Sequence, residues 1–322
     1  MYSTLHIVNS DYSRDILRKS NIRGVFLPWL DFLHEGPVPC NFTLSQLSKI
    51  RAQYIASKGI GNFDNVYNSF KERDSILLEH EKYEKIILWF EDDLHDQLQM
   101  IQVLSWFKNN LQKEIKISLI CTQTRLGEST MAQIHNLFHY ERKITQEYLD
   151  VADKAWLAFC DLTPLKLYAF YQEKNRLFPF LNDALKRLLE EYPNTINGLS
   201  RTAHQALLVI ANGEKNPEKI FKTYQTYEER RFIGDIIFWR MIDEFVEYGV
   251  IEVINEKRDL GISSLGKEII TGQRNWLGIT PINHSIGGVQ LSPDKLWCWD
   301  IKKKNIARYY FSKALCTFLP VK

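Results

Sequence analysis

The stretch KIILWFEDDLHDQLQMIQVLSWFKNNL, residues 85–111, decides the fold. Its first six residues are apolar after Lys85 and rich in isoleucine and aromatics, too short for a buried helix and too continuous for a half-exposed strand. Such a run fits a strand covered on both faces of a parallel sheet. Three carboxylates follow, Glu91, Asp92 and Asp93, and then Leu94, Leu98, Ile101 and Leu104 recur at helical spacing until Lys108 and Asn109–Asn110 close the segment. Strand, acidic turn and helix together make one β-α unit.

Working outward, three more runs of the same kind occur in the first 125 residues: LHIVN (5–9), GVFLPWL (24–30) and IKISLIC (115–121). SDYSRDILRKSN (10–21) opens with Ser and Asp, residues that cap a helix. The alternation predicts an α/β domain with a parallel, Rossmann-like sheet over residues 1–125. From 126 to about 195 strand signals vanish, and segments opening with Ser, Thr or Pro carry apolar residues at helical intervals, which predicts a helical connector. YPNTINGLS (192–200) collects Pro, Asn and Gly and reads as a linker. Beyond it, three helical segments (SRTAHQALLVIANG, PEKIFKTYQTY, GDIIFWRMIDEFVEYG) precede GVIEVI, a charged NEKRD turn and LGISSLGKEIITG. Three helices and a two-stranded wing predict a winged-helix-like domain over 196–322, with a basic, aromatic tail at 302–313.

Composition narrows the classes. The 322 residues are 45% hydrophobic and 25% charged, the balance of a folded protein, and the net charge of +2 offers no strong basic field for nucleic acid. Cys40, Cys121, Cys160, Cys298 and Cys316 are scattered, with no C-x-x-C, which predicts reduced thiols rather than a disulfide or zinc framework. No signal-peptide pattern opens the chain and no apolar run approaches 18 residues, so a cytoplasmic protein without membrane spans is expected. G-x-G-x-x-G, G-x-x-x-x-G-K-[ST], G-x-S-x-G and H-E-x-x-H are all missing, which disfavours dinucleotide binding, P-loop hydrolysis, nucleophile-elbow chemistry and zincin chemistry.

Open parallel sheets bind ligands beyond the carboxyl ends of their strands. That edge would gather Asn9 and Asp11 after the first strand, Asp31, His34 and Glu35 after the second, and Glu91, Asp93 and Gln97 after the third. His34, Glu35 and Glu91 are the candidate catalytic residues; Asn9, Asp11, Asp31 and Gln97 would bind ligand. Packed carboxylates repel unless they hold a cation or a cationic or hydroxyl-rich ligand, or share protons. Glu91 and Asp93 are therefore the candidate metal ligands, and oxygen donors suit Mg²⁺ or Mn²⁺. The competing reading of the acidic turn is helix capping, and of His34 a turn anchor. The supposed recognition helix carries Asp235, Asp243, Glu244 and Glu247 against Arg240, which opposes phosphate contacts.

Six motifs carry a resemblance: LHIVNSD, LPWLDFLHEGPVP, LWFEDDLHDQLQ, FPFLNDALKRLLEEYPNTINGLSRT, GDIIFWRMIDEF and IGGVQLSPDKLWCWD. Together they resemble the bacterial family called domain of unknown function 1835 over nearly the whole chain. The chain departs at Ser10, where the family carries Gly, at Asp92, where it carries His, and at His95, where it carries an aromatic; His34, Glu35, Glu91, Asp93, Asp96 and Gln97 fit. The resemblance implies the fold and the site and brings no activity with it. Two functions are expected from the residues. One is small-molecule or nucleotide binding, with cation-assisted hydrolysis or transfer on a phosphate-bearing substrate. The other is a non-enzymatic regulator or interaction protein that contacts DNA or protein through the winged-helix-like module.

Overall fold

The computed structural model describes residues 4–111, 115–312 and 317–320. It is a mixed α/β protein whose described residues include twelve α-helices and a five-stranded, mostly parallel sheet. They divide into two compact units, one of residues 1–184 with 285–289, the other of 185–284 with 290–322.

In the first unit, β1 (Thr4–Val8) lies between β2 (Val25–Pro28) and β4 (Lys85–Glu91), followed outward by β5 (Lys116–Thr122) and a short antiparallel edge strand β6 (Arg142–Lys143). β2, β1, β4 and β5 are all parallel, in register at Leu5↔Val25, Leu5↔Ile86 and Ile86↔Ile117. β4 is buried from Ile86 to Glu91, as a strand covered on both faces must be. One face packs Val8, Leu17, Phe26, Ile87, Trp89, Ile120 and Leu126. Separately, α2 (Leu44–Ser57) and α3 (Phe63–Leu78) enclose Ala52, Ile55 and Phe70.

The order of the parallel strands reverses direction at β1. From β1 the chain moves to β2 on one side, then crosses to β4 on the other side of β1. The reversal therefore lies between β1 and β4, and α1 (Asp11–Lys19) and α4 (Leu94–Asn110) both begin there.

Helix α4 departs from the single apolar stripe that its spacing predicts. Gln97, Gln99, Gln102 and Ser105 are buried as well. Each has a partner inside: Gln102 accepts from Trp29 Nε1 at 2.7 Å, and Ser105 Oγ donates to Asp153 on α6 (Gln146–Phe159) at 2.7 Å. Polar spacing in the sequence carries no sign of whether such partners exist. The helices between residues 126 and 184 belong to the first unit. The short strand β6 among them, absent from the sequence reading, is held by edge pairing with Ser118 and Leu119 rather than by its own composition, Arg-Lys.

The second unit contains α9 (Arg201–Ala211), α10 (Pro217–Gln225) and α11 (Asp235–Glu247). An antiparallel pair, β7 (Ile251–Val253) with β8 (Leu260–Ile262), follows, then α12 (Ser264–Ile270). A three-stranded antiparallel sheet is formed by β11 (Leu296–Asp300), β12 (Asn305–Ser312) and β13 (Thr317–Pro320). The 192–200 stretch, read above as a linker, lies inside this unit: Tyr192, Asn194, Asn197 and Leu199 are buried. Asn194 explains why, since it donates to Asn197 Oδ1 at 2.6 Å and to the Leu199 carbonyl at 2.7 Å, satisfying a turn that water would otherwise solvate. No helix is long and apolar enough to cross a membrane among the described residues. Cys40, Cys121, Cys160 and Cys298 are free thiols, and Cys316 lies outside the described residues.

Candidate functional site at the strand ends

The reversal between β1 and β4 is spanned by a side-chain bridge. Asn9, the first residue past β1, donates from Nδ2 to both carboxylate oxygens of Asp96 at 2.8 and 3.0 Å. Its Oδ1 accepts from Ser10 Oγ at 3.0 Å and Ser13 Oγ at 2.6 Å, so the amide orientation is fixed from both ends. Asp96 lies in the first turn of α4 and is 1% exposed; it also accepts from the Glu91 backbone N–H. Burial pushes its carboxyl well above the usual carboxylate range, the nearby charge of Asp93 adds to this, and the bonds from Glu91 N–H and Asn9 oppose it.

Around this bridge the acidic turn closes on one cation. Arg125, just past β5, donates from Nη1 to Glu91 Oε2 at 2.7 Å and to Asp93 Oδ2 at 2.9 Å, and lies 3.2 Å from Asp92 Oδ1. Burial opposes its charge, but the bond to Glu91 and the charges of Asp93, Glu91 and Asp92 outweigh that and raise its pKa. Glu91 Oε1 accepts from the Leu126 N–H at 3.0 Å. Asp93 is the N-cap of α4 and accepts from Asp96 N–H at 3.0 Å, so the capping role weighed above is present in the fold. The positive charge that holds Glu91 and Asp93 together is thus a guanidinium. Among the described residues no group of three or more His, Cys, Asp or Glu side chains is arranged to hold a metal ion. A divalent cation here would have to displace Arg125.

Gln97 is fully buried, donating to the Glu91 carbonyl at 2.7 Å and to Cys121 Sγ at 3.3 Å, while its Oε1 has no hydrogen-bond partner. Burial pushes the Cys121 thiol up to about 12, which makes it a packing group rather than a nucleophile at neutral pH.

The loop after β2 forms the second half of the site. Asp31 is 3% exposed and receives Arg51 of α2, Nε at 3.0 Å and Nη2 at 2.8 Å. The same guanidinium donates to the Glu35 carbonyl at 2.6 Å and the Phe32 carbonyl at 3.0 Å, so it is wrapped by the loop it holds. Glu35 Oε2 accepts from Tyr54 Oη at 3.2 Å. Gly36 follows with φ +77°, and a Cβ there would meet the Tyr54 ring at 2.5 Å, so the Gly of LHEGPVP is required twice over. His34 is buried, its ring centroid 6.2 Å from that of His95. Gln99 joins the halves: its amide nitrogen donates to the carbonyls of Trp29 and, at 2.9 Å, Asp31, and lies 3.0 Å from His95 Nε2. Burial keeps His95 neutral by lowering its pKa, against the charges of Asp93, Asp31 and Glu91.

Of the residues singled out from sequence, Asn9, Glu91, Asp93 and Gln97 form one cluster at the ends of β1, β4 and β5. Asp31, His34 and Glu35 form the adjoining loop. Asp11 joins neither: it is exposed in the first turn of α1 and pairs with Arg14. Sequence reading missed Arg125, Arg51 and Gln99 as members, and it had Asp96 only through the family resemblance. Arg125 follows a strand, and the strand-end rule that found the others covers it too; Arg51 and Gln99 sit inside helices, where spacing gives no signal. No protein-family model matches the chain, and no curated protein matches it significantly.

Proposed function

We propose that the first unit binds a small polar molecule at the carboxyl edge of its Rossmann-like sheet, in the crevice between β1 and β4. The observation that carries this reading is the Asn9–Asp96 bridge across the strand-order reversal, with two helix N-termini and the Arg125-tied carboxylates beside it. Open α/β sheets bind ligands at such a reversal. The local charge selects the ligand. Glu91, Asp92 and Asp93 face one arginine, so a bare phosphate is repelled and a hydroxyl-rich or cationic group is favoured. A phosphate-bearing or nucleotide-like substrate is accommodated only with a divalent cation, Mg²⁺ or Mn²⁺, that displaces Arg125 and offsets the carboxylates. If such a cation bound, Glu91 and Asp93 would hold it and it would supply charge neutralisation for hydrolysis or transfer, while Asn9 would orient the ligand and His34 would act as acid/base beside Glu35. The resemblance to domain of unknown function 1835 supports the same location.

The test is a thermal-shift screen of the purified chain against polyols, amines, nucleotides and phosphate esters, each with and without Mg²⁺ or Mn²⁺. A ligand at 100 times its Kd adds about 2.7 kcal/mol to folded-state stability. A shift that disappears in Asn9→Ala and Glu91→Gln locates binding at the strand ends. A shift retained by both variants removes this reading.

A second reading has its own observation: α9, α10 and α11 followed by the β7–β8 pair is the element order of a winged helix, used by a regulator or interaction protein. On α11, Asp235, Asp243, Glu244 and Glu247 are exposed with Arg240, which favours a protein partner over DNA. Titration with mixed duplex DNA at two salt concentrations separates them, because phosphate contacts impose steep salt dependence.

A further inference from the structure

The loop that carries His34 and Glu35 is gripped from two sides, and the second grip comes from the far end of the chain. α2 supplies the first through Arg51 and Tyr54. The other is residues 285–289, which belong to the first unit although the chain on either side of them belongs to the second. β9 (His284–Gly287) runs parallel to the two-residue strand β3 (Gly36–Pro37), in register at Gly36↔Ile286 and Pro37↔Gly287, and the Val38 N–H donates to the Gly287 carbonyl at 2.7 Å. Just past the end of β9, Gly288 N–H donates to the Phe159 carbonyl at the end of α6, at 3.0 Å. The passage is narrow: a Cβ on Gly288 would lie 1.9 Å from the Cys160 carbonyl oxygen. Ile286 and Val289 are buried and anchor the segment.

We infer that Ile286–Gly288 is a positioning strap for the site loop, so that His34 and Glu35 take their places only when this C-terminal segment is docked. The inference rests on the reading of the strand ends as a ligand site and adds its control: the loop's geometry is set from about 250 residues downstream in the sequence. The physical reason is that Gly36–Pro37 is too short to be a strand by itself. Two residues cannot form a stable ladder without a partner, and β9 supplies the hydrogen bonds that fix where Gly36 and Val38 lie. Two residues upstream, His34 inherits that position.

The experiment uses the full chain. Amide hydrogen exchange across 31–40 and the ring resonances of His34 and His95 are followed in the native protein, in Gly288→Ala and in Gly59→Ala. Gly59 has φ +68° with nothing within 4 Å of an added Cβ, so it carries backbone strain without obstruction and serves as the control. The strap predicts exchange at Val38 faster by about tenfold in Gly288→Ala, the loss of one backbone hydrogen bond. Protection in β1, β4 and β5 should hold, and the His34 and His95 rings should shift; a role confined to packing against α6 would leave those rings where they are. If Gly288→Ala unfolds the first unit altogether, Ile286→Ala decides, since it loosens the strap without obstructing it. Unchanged Val38 exchange and unchanged histidine resonances in whichever variant stays folded overturn the inference. Neither readout involves a ligand, so this failure is distinct from a failure of the ligand-site reading, which the thermal-shift screen decides.

Discussion

Asp31→Asn is the substitution whose cost the structure states most directly. The Asp31 and Arg51 side chains are 2% and 1% exposed, so the pair sits out of water. Asn keeps the volume and one acceptor but leaves a buried guanidinium without its counterion, and breaking such a pair costs about 3–5 kcal/mol. Arg51→Met is worse. It strands the Asp31 carboxylate and also removes the donors to the Glu35 and Phe32 carbonyls, each worth about 1–3 kcal/mol when left buried and unsatisfied. Combining the two removes both charges and leaves only the carbonyl penalty, so Asp31→Asn/Arg51→Met should be more stable than Arg51→Met alone by about 2 kcal/mol. Urea unfolding read by hydrogen exchange of the peptide covering residues 25–58 isolates the first unit from the second, which need not unfold with it. With a slope of about 3 kcal/mol per molar, Asp31→Asn should lower the midpoint by about 1–1.7 M. A drop below about 0.3 M in Asp31→Asn, or a double variant less stable than Arg51→Met, would refute the buried-pair reasoning.

Other expectations are as direct. Arg125→Gln should destabilise the first unit by about 2–4 kcal/mol in urea unfolding, because three partly buried carboxylates lose the cation between them; a loss under about 0.5 kcal/mol would contradict the geometry. His6 accepts from Trp89 Nε1 at 3.0 Å, with Nε2 3.2 Å from the Arg23 carbonyl, and burial lowers its pKa, as it does that of His95. Both rings are neutral in the fold, so their contribution is complete above pH 6.5, the unperturbed value, and declines as pH falls below it while the unfolded chain takes up protons. Stability should fall with pH across that window, by at most about 1.4 kcal/mol per pH unit for each ring, and the fall should be shallower in His6→Gln; urea midpoints between pH 7.5 and 5 measure it. Cys121, with its thiol at about 12, should resist iodoacetamide at pH 8 in the native protein, since only about one thiol in ten thousand is ionised, and react once urea unfolds the unit.

Much of the first unit was legible in the residues. Continuous β-branched and aromatic runs mark β1, β2, β4 and β5 because a strand covered on both faces leaves no polar position to alternate with. Ser10 and the Asp93 turn mark helix starts because their side chains satisfy free N–H groups locally, and both do so here. The strand-end rule then located Asn9, Glu91, Asp93 and Gln97. It failed for Asp11, whose side chain turns out to Arg14, because a helix's first turn points around a full circle and the rule fixes no direction. The YPNTINGLS stretch shows the same limit from the other side. Pro, Asn and Gly signal a tight turn whether it is solvated or buried, and Asn194 makes this one buried.

Sequence by itself determined the local matters: which segments are strands and helices, where they begin, and which polar groups stand at strand ends. Periodicity, capping and burial on two faces are properties of neighbouring residues, so a linear pattern can record them. Tertiary structure alone decided the partners. Nothing near Asp31 names Arg51, nothing near Asn9 names Asp96, and nothing in LHEGPVP announces that Gly287 will receive the Val38 N–H. Those pairings join residues 20, 87 and about 250 positions apart, and they form only because closing the sheet and core brings the segments together. Once out of water, each buried polar group must find its partner there or destabilise the fold.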